Sequence, residues 1–123
     1  MKQVLLDTNA VMAVGEFGLD VFAAVENAAF SSKIYVVQGT ITELKKIMEE
    51  QRGKYKAAAK LGLALLTQKK ITVLPDLADD VDSSLVEYST KGYMVLTQDV
   101  ELKKRLTKPY ATIRQKKKVI VVK

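Results

Sequence analysis

The sequence predicts an α/β layer fold on a mostly parallel sheet, and three observations carry that prediction. Short apolar runs, several of them β-branched, recur at residues 3–7, 34–37, 71–74, 93–97 and 119–122, as expected of buried strands. Between them lie segments whose apolar residues return at helical spacing. The order is strand, helix, strand, two helices, strand, helix, strand, helix, strand, and parallel neighbours need helical crossovers of that kind.

Residues 3–7, QVLLD, read as a buried strand ending in an acid, with Thr8, Asn9 and Ala10 as a turn into helix. Leu19, Phe22, Ala23, Ala29 and Phe30 fall at helical spacing over residues 19–30, after a turn marked by Gly15 and Gly18. Ile34, Tyr35, Val36 and Val37 make the second strand, closed by Gly39. Thr40 opens a helix with Ile41, Leu44, Ile47 and Met48 on one stripe, ending near Gly53. A longer amphipathic helix follows, with Tyr55, Ala58, Leu61, Gly62, Leu65 and Leu66 inward and Lys54, Lys56 and Lys60 in solvent. Its apolar patch is a candidate dimer surface. Residues 71–74 form the third strand, stopped by Pro75. Asp79, Asp80, Val81 and Asp82 start a helix through Leu85, Val86 and Tyr88 to a stop at Lys91 and Gly92. Residues 93–97 are the fourth strand and residues 99–107 a short basic helix broken before Pro109. One or two further strands occupy residues 111–113 and 119–122.

At 123 residues and 48% hydrophobic content, the chain has the size of one domain, residues 1–123, with at most one active site. No charged-then-apolar leader follows Met1 and Lys2, and no apolar run approaches the roughly 20 residues a bilayer requires, so a soluble, cytoplasmic protein is expected. Cysteine and histidine are both absent, which excludes disulfides, thiolate or imidazole zinc sites, cysteine nucleophiles and His-based triads. Any metal must be held by oxygen, which points to Mg²⁺ or Mn²⁺. The net charge is +6, with the excess gathered at Lys103, Lys104, Arg105, Lys108, Arg114, Lys116, Lys117 and Lys118. A polyanion is one partner for such a stretch, and simple solubilisation is an equally good account of it.

In open α/β sheets, ligands collect beyond the carboxyl ends of the strands. Asp7 ends the first strand, Glu43 lies one turn into the helix after the second, Asp82 opens the helix after the third, and Asp99 follows the fourth. Four carboxylates crowded together repel, and divalent cations are the economical neutraliser. One or two such ions would activate water for in-line attack on a phosphodiester. The competing account is capping: Asp99, Asp79 or Asp80 as helix N-caps and Glu43 as partner of Thr40 in a capping box. Asp7 resists that account, because an acid at a buried strand end is costly without a partner. Asn9 and Thr97 either support the acids or are ordinary turn and strand residues.

Leu5-Leu6-Asp7-Thr8-Asn9 resembles the opening motif of PIN domains, and the likeness continues through Thr42-Glu43-Leu44, Asp82-Ser83-Ser84-Leu85 and Leu96-Thr97-Gln98-Asp99-Val100-Glu101-Leu102. The resemblance implies a three-layer α/β/α fold with a mainly parallel, roughly five-stranded sheet. It implies Asp7, Glu43, Asp82 and Asp99 as catalytic and metal-binding residues for Mg²⁺ or Mn²⁺, ribonuclease activity on RNA, and a homodimer. Thr97 matches the small hydroxyl residue that supports the last acid. Glu101 stands where some members carry an additional acid, and Asp79 or Asp80 is able to deputise for the third. Lys103, Lys104, Arg105, Arg114, Lys116, Lys117 and Lys118 are the candidate RNA contacts. The residue 54–66 helix and the basic ending resemble an archaeal branch related to PIN proteins of small-subunit rRNA processing, which implies a ribosome-assembly partner. VapC-type toxins, held by an antitoxin, are the alternative, although Gln98 replaces their frequent asparagine and the acids before Asp82 are spread. A non-catalytic RNA-binding module is a further reading.

Overall fold

The computed structural model describes residues 2–29 and 32–123. Six strands, β1 (Lys2–Leu6), β2 (Ser32–Val37), β3 (Thr72–Leu74), β4 (Met94–Leu96), β5 (Tyr110–Arg114) and β6 (Lys118–Val122), form one sheet in the order β3-β2-β1-β4-β5-β6. All neighbours are parallel except β5 and β6, a terminal antiparallel hairpin. The sheet is therefore mainly parallel as expected, and six-stranded because the chain's last two apolar runs pair with each other.

The helices are α1 (Thr8–Phe17), α2 (Val21–Ala28), α3 (Gln38–Glu50), α4 (Gly53–Gln68), α5 (Val81–Thr90) and α6 (Val100–Arg105). Strand alternation sends Val4, Leu6, Val36, Met94 and Leu96 into a core with α1, α2, α3 and α4. Leu5, Tyr35, Val37 and Val95 go to the opposite core, with Leu85 and Tyr88 of α5 and Leu102 of α6. Three layers follow from that alternation.

Several local expectations are corrected. Gly15 marks no turn: it lies inside α1, where a Cβ would stand 2.6 Å from the Ala58 Cα of α4. The glycine lets two helix backbones approach, while Gly18, at φ 66°, is the left-handed cap that ends α1. Tyr55 and Leu61 do not point inward but are 55% and 42% exposed, leaving Ala58, Gly62 and Leu66 as the buried face of α4. Helix α3 begins at Gln38, so Thr40 is inside it and forms no capping box with Glu43. The helix expected over residues 19–30 is observed as Val21–Ala28, and position 30 lies outside the described residues. Among the described residues, no single helix is long and apolar enough to cross a membrane.

Strands β2 and β4 lie on opposite sides of β1, so the chain leaves the centre of the sheet in two directions. The crevice at the carboxyl ends of these strands is where an α/β sheet accepts ligands. There the Asp7 amide donates to the Leu96 carbonyl at 3.0 Å and the Thr97 amide to the Ala111 carbonyl at 3.1 Å, which fixes the strand ends relative to one another.

Candidate functional site

Asp7 is the N-cap of α1 and is only 5% exposed. Its Oδ1 accepts from the Thr8 amide at 2.7 Å, and its Oδ2 accepts from the Thr97 hydroxyl at 2.7 Å and from the Asn9 side-chain amide at 3.1 Å. Thr97 is itself fully buried, and its hydroxyl oxygen accepts from the Asp99 amide at 3.0 Å. Asn9 closes the ring, its Oδ1 accepting from the Gln98 amide at 3.1 Å. Residues 7, 9, 97 and 99 are thus one hydrogen-bonded unit across the ends of β1 and β4. Thr97, expected beside the last acid, donates instead to Asp7 and meets Asp99 only at its backbone amide, and Asn9 also donates to Asp7.

Glu43 is placed by the chain before it and by α1. Its Oε1 accepts from the Thr8 hydroxyl at 2.9 Å. Asp99 caps α6, with Oδ1 accepting from the Glu101 and Leu102 amides at 2.9 and 3.2 Å, bonds that use one of its two oxygens. Asp82 sits in the first turn of α5. All four acids line a single cleft of about 620 Å³, within the ~300–1,000 Å³ typical of ligand sites.

Among the described residues, no salt bridge neutralises the acids of the cleft. Burial pushes the Asp7 carboxyl up from 3.8 to about 6 despite its hydrogen bonds, and the charges of Asp82 and Glu43 add to the rise. Burial raises Asp82 as well, followed by repulsion from Asp99 and Asp80, with Arg105 opposing. Among the described residues, the one salt bridge is Lys104–Glu101 at 3.4 Å, an exposed pair away from the cleft. Among the described residues, too, no three acidic side chains converge closely enough to hold a metal ion as they stand. Like-charged carboxylates without a counterion gain by standing apart.

This arrangement predicts an unusual pH dependence. Asp7 binds its proton more tightly folded than unfolded, so the fold loses stability as pH rises from about 4 through about 6. The loss is up to ~3 kcal/mol, and the gain on replacing Asp7 by Asn is smaller than this by whatever hydrogen bonding the amide gives up. In chelator, Asp7→Asn is therefore expected to melt several degrees above the wild type at pH 7 and level with it near pH 4. A mutant less stable at both pH values would contradict the reading.

The remaining sequence candidates fall elsewhere. Asp80 caps α5 through the Ser83 amide at 2.9 Å, a bond that lowers its pKa, and it does not line the cleft. Asp79 and Glu101 are exposed and also lie off it. Capping thus accounts for Asp80 and for part of Asp99, and it also uses one oxygen of Asp7, an acid expected to resist that role, which caps α1 through the Thr8 amide. Lys103, Lys104 and Arg105 are on α6, where Arg105 donates to the Ser83 hydroxyl at 3.1 Å beside Asp82. Arg114, Lys116, Lys117 and Lys118 are exposed at the β5–β6 hairpin, with the Lys116 ammonium 5.2 Å from the Phe17 ring centroid at the end of α1.

Sequence reasoning missed the rest of the cleft wall: Thr8, Met12, Glu16, Ile47, Gln51 and Tyr55. Asn9, Met12 and Glu16 share one face of α1 by spacing, as do Glu43 and Ile47 on α3, with Gln51 the C-cap beyond them. That signal was available once a helix was assigned to residues 8–17.

A family described as "PIN like domain" matches residues 4–117. The chain is 30% identical to Ribonuclease VapC9 of Archaeoglobus fulgidus over 125 aligned positions, covering 98% of this chain and 90% of that one. Its fold is similar to that of the PIN domain endonuclease Utp24, with a TM-score of 0.76 at 20% identity, covering 97% of this chain and 90% of that one. It is also similar to a chain in the crystal structure of VapBC2 from Rickettsia felis bound to a DNA fragment from their promoter, with a TM-score of 0.61 at 12% identity, covering 85% and 95%. With its strand order, layers and strand-end acids already described, this chain belongs to the PIN-like domain family.

Proposed function

We propose that this chain is a divalent-metal-dependent endoribonuclease, with Asp7, Glu43, Asp82 and Asp99 as its metal-binding and catalytic side chains. One observation carries the reading: four carboxylates from the segments that follow β1, β2, β3 and β4 line one cleft, and among the described residues the most buried of them has no salt-bridge partner. An all-oxygen donor set suits Mg²⁺ or Mn²⁺, and a chain without cysteine or histidine has no softer ligands to offer. When bound, the cation supplies charge neutralisation at the scissile phosphate and activation of water.

The chain's own residues do the rest. Thr8, Asn9 and Thr97 leave Asp7 a single orientation, so its carboxylate is preorganised when substrate arrives. The Thr8 hydroxyl steers Glu43 from the other wall. Burial of Asp7 against the strand ends keeps bulk water from screening its charge. The basic residues of α6 and the β5–β6 hairpin draw in the RNA backbone.

RNA as the substrate is supported by the relation to Ribonuclease VapC9 over nearly the whole chain. The same relation favours a second, finer reading, a toxin under antitoxin control. Incubation of the purified protein with single-stranded RNA and Mn²⁺ tests the main proposal. Cleavage that chelator abolishes is expected, and an intact substrate under every divalent cation would overturn it. For the finer reading, expression in cells should arrest growth only while the carboxylates are intact.

Replacing Lys116, Lys117 and Lys118 together with alanine is expected to weaken RNA binding and to flatten its dependence on log salt by about 2, at ~0.7 per phosphate contact on a single strand. Binding titrations over a salt series check this. An unchanged slope would assign these lysines to solubility alone.

A further inference from the structure

The cleft does not end at the carboxylates. Helix α3 carries Glu43 and Ile47 along it and ends at its C-cap, Gln51, so this wall runs about 12 Å beyond Glu43 at ~1.5 Å per residue. Helix α1 forms the facing wall with Asn9, Met12 and Glu16. At the far end stands Tyr55, in the first turn of α4 and 55% exposed. The other large apolar side chains exposed among the described residues, Leu61, Val73, Leu77 and Val100, do not line this cleft. Among the described residues, no aromatic ring or cation covers the Tyr55 ring.

The cleft lining that Tyr55 joins is polar, with Asn9, Gln51 and acidic side chains, Glu16 among them. Gly53, at φ 63°, turns the chain between α3 and α4 and so brings Tyr55 to the mouth. Arg52, Lys54 and Lys56 flank it in the sequence, are exposed and do not line the cleft. An aromatic face interleaved with cations is the chemistry that receives a single strand, base on the ring and phosphates on the charges.

We propose that Tyr55 is the platform on which a base of single-stranded RNA stacks, on a nucleotide flanking the bond to be cut, while Arg52, Lys54 and Lys56 hold the adjacent phosphates. This rests on the ribonuclease reading above. It requires an unpaired base at that position, since a base locked in a duplex cannot lie on the ring. Gln51, beside it, is able both to donate to and to accept from the base edge.

Steady-state cleavage of a roughly ten-nucleotide single-stranded RNA with Mn²⁺ tests the proposal, with Tyr55→Ala, Tyr55→Phe and an abasic residue placed at each position in turn. Tyr55→Ala is expected to raise KM roughly five- to a hundredfold, the loss of one stacked base, with kcat little changed and Tyr55→Phe close to wild type. In the wild type, one abasic position should reproduce that loss, and in Tyr55→Ala the same position should cost nothing further. Wild-type cleavage with unaltered kinetics in Tyr55→Ala would overturn the platform and leave the nuclease reading standing. Equal loss in Tyr55→Phe, or abasic effects that simply multiply with Tyr55→Ala, would also overturn it. A wild-type protein that cleaves no RNA would remove both readings together.

Discussion

Asp7→Asn is expected to lower Mn²⁺-dependent RNA cleavage by roughly a hundredfold or more, because several kcal/mol of charge stabilisation at the phosphate pass through this carboxylate and each ~1.4 kcal/mol is tenfold in rate. The substitution is nearly isosteric, but its one oxygen serves either the Thr8 amide or the Thr97 and Asn9 donors, and removal of the buried, repelled charge offsets the bonding given up. The fold should therefore survive it, and in chelator at neutral pH it should be the more stable protein. Loss of activity together with gain of stability is the signature of a charge kept for function and not for folding. Added Mg²⁺ should stabilise the wild type far more than Asp7→Asn. Single-turnover cleavage and melting curves on the same preparations measure both effects, and full activity in the mutant under controlled metal would refute the assignment.

The second large effect concerns stability. Gly15→Val is expected to cost roughly 2–3 kcal/mol, or about 10 °C in Tm for a chain of this length. A Cβ at position 15 would meet Ala58 Cα at 2.6 Å and Ala58 Cβ at 2.9 Å, so the obstacle is backbone and cannot rotate away. Four residues earlier on the same face, Val11 Cγ1 would stand 2.6 Å from a Cβ on Gly62, so α1 and α4 are in close contact at both points. Gly15→Ala is the more discriminating variant. Helix propensity favours alanine by about 1 kcal/mol, and only a close backbone approach reverses that sign. A raised Tm in Gly15→Ala would show that the helices stand further apart. Because α1 carries Met12 and Glu16 and α4 carries Tyr55, forcing the two helices apart should also widen the cleft and weaken RNA binding.

The positions of the acids were legible because each follows a strand, and strand ends are where an α/β sheet gathers its ligands. The sequence alone does not decide between supporting and ordinary roles for Thr97 and Asn9, because which acid a side chain meets across two strand ends depends on the pairing of β1 with β4, and here both meet Asp7. Asp80 was ambiguous for a physical reason: an acid before an amphipathic run serves a helix N-terminus as readily as a metal, and here it serves the helix. The error at Gly15 had the same source, since a glycine reads as a turn until its packing partner, 43 positions later at Ala58, is known. Tyr55 was misplaced inward because its spacing matches the buried stripe of α4, whereas the first turn of that helix projects past the core. The sixth strand was half visible, as one or two runs whose antiparallel pairing depends on the turn at Gln115 and Lys116, both left-handed at φ 56° and 57°.

Crystals soaked in Mn²⁺ and measured at a wavelength where manganese scatters anomalously locate the cation directly. The account predicts an anomalous peak inside the cleft, within bonding distance of Asp7 and of at least one carboxylate among Glu43, Asp82 and Asp99. A cleft without a peak at millimolar Mn²⁺, or peaks confined to exposed acids such as Asp79 and Glu101, would contradict it.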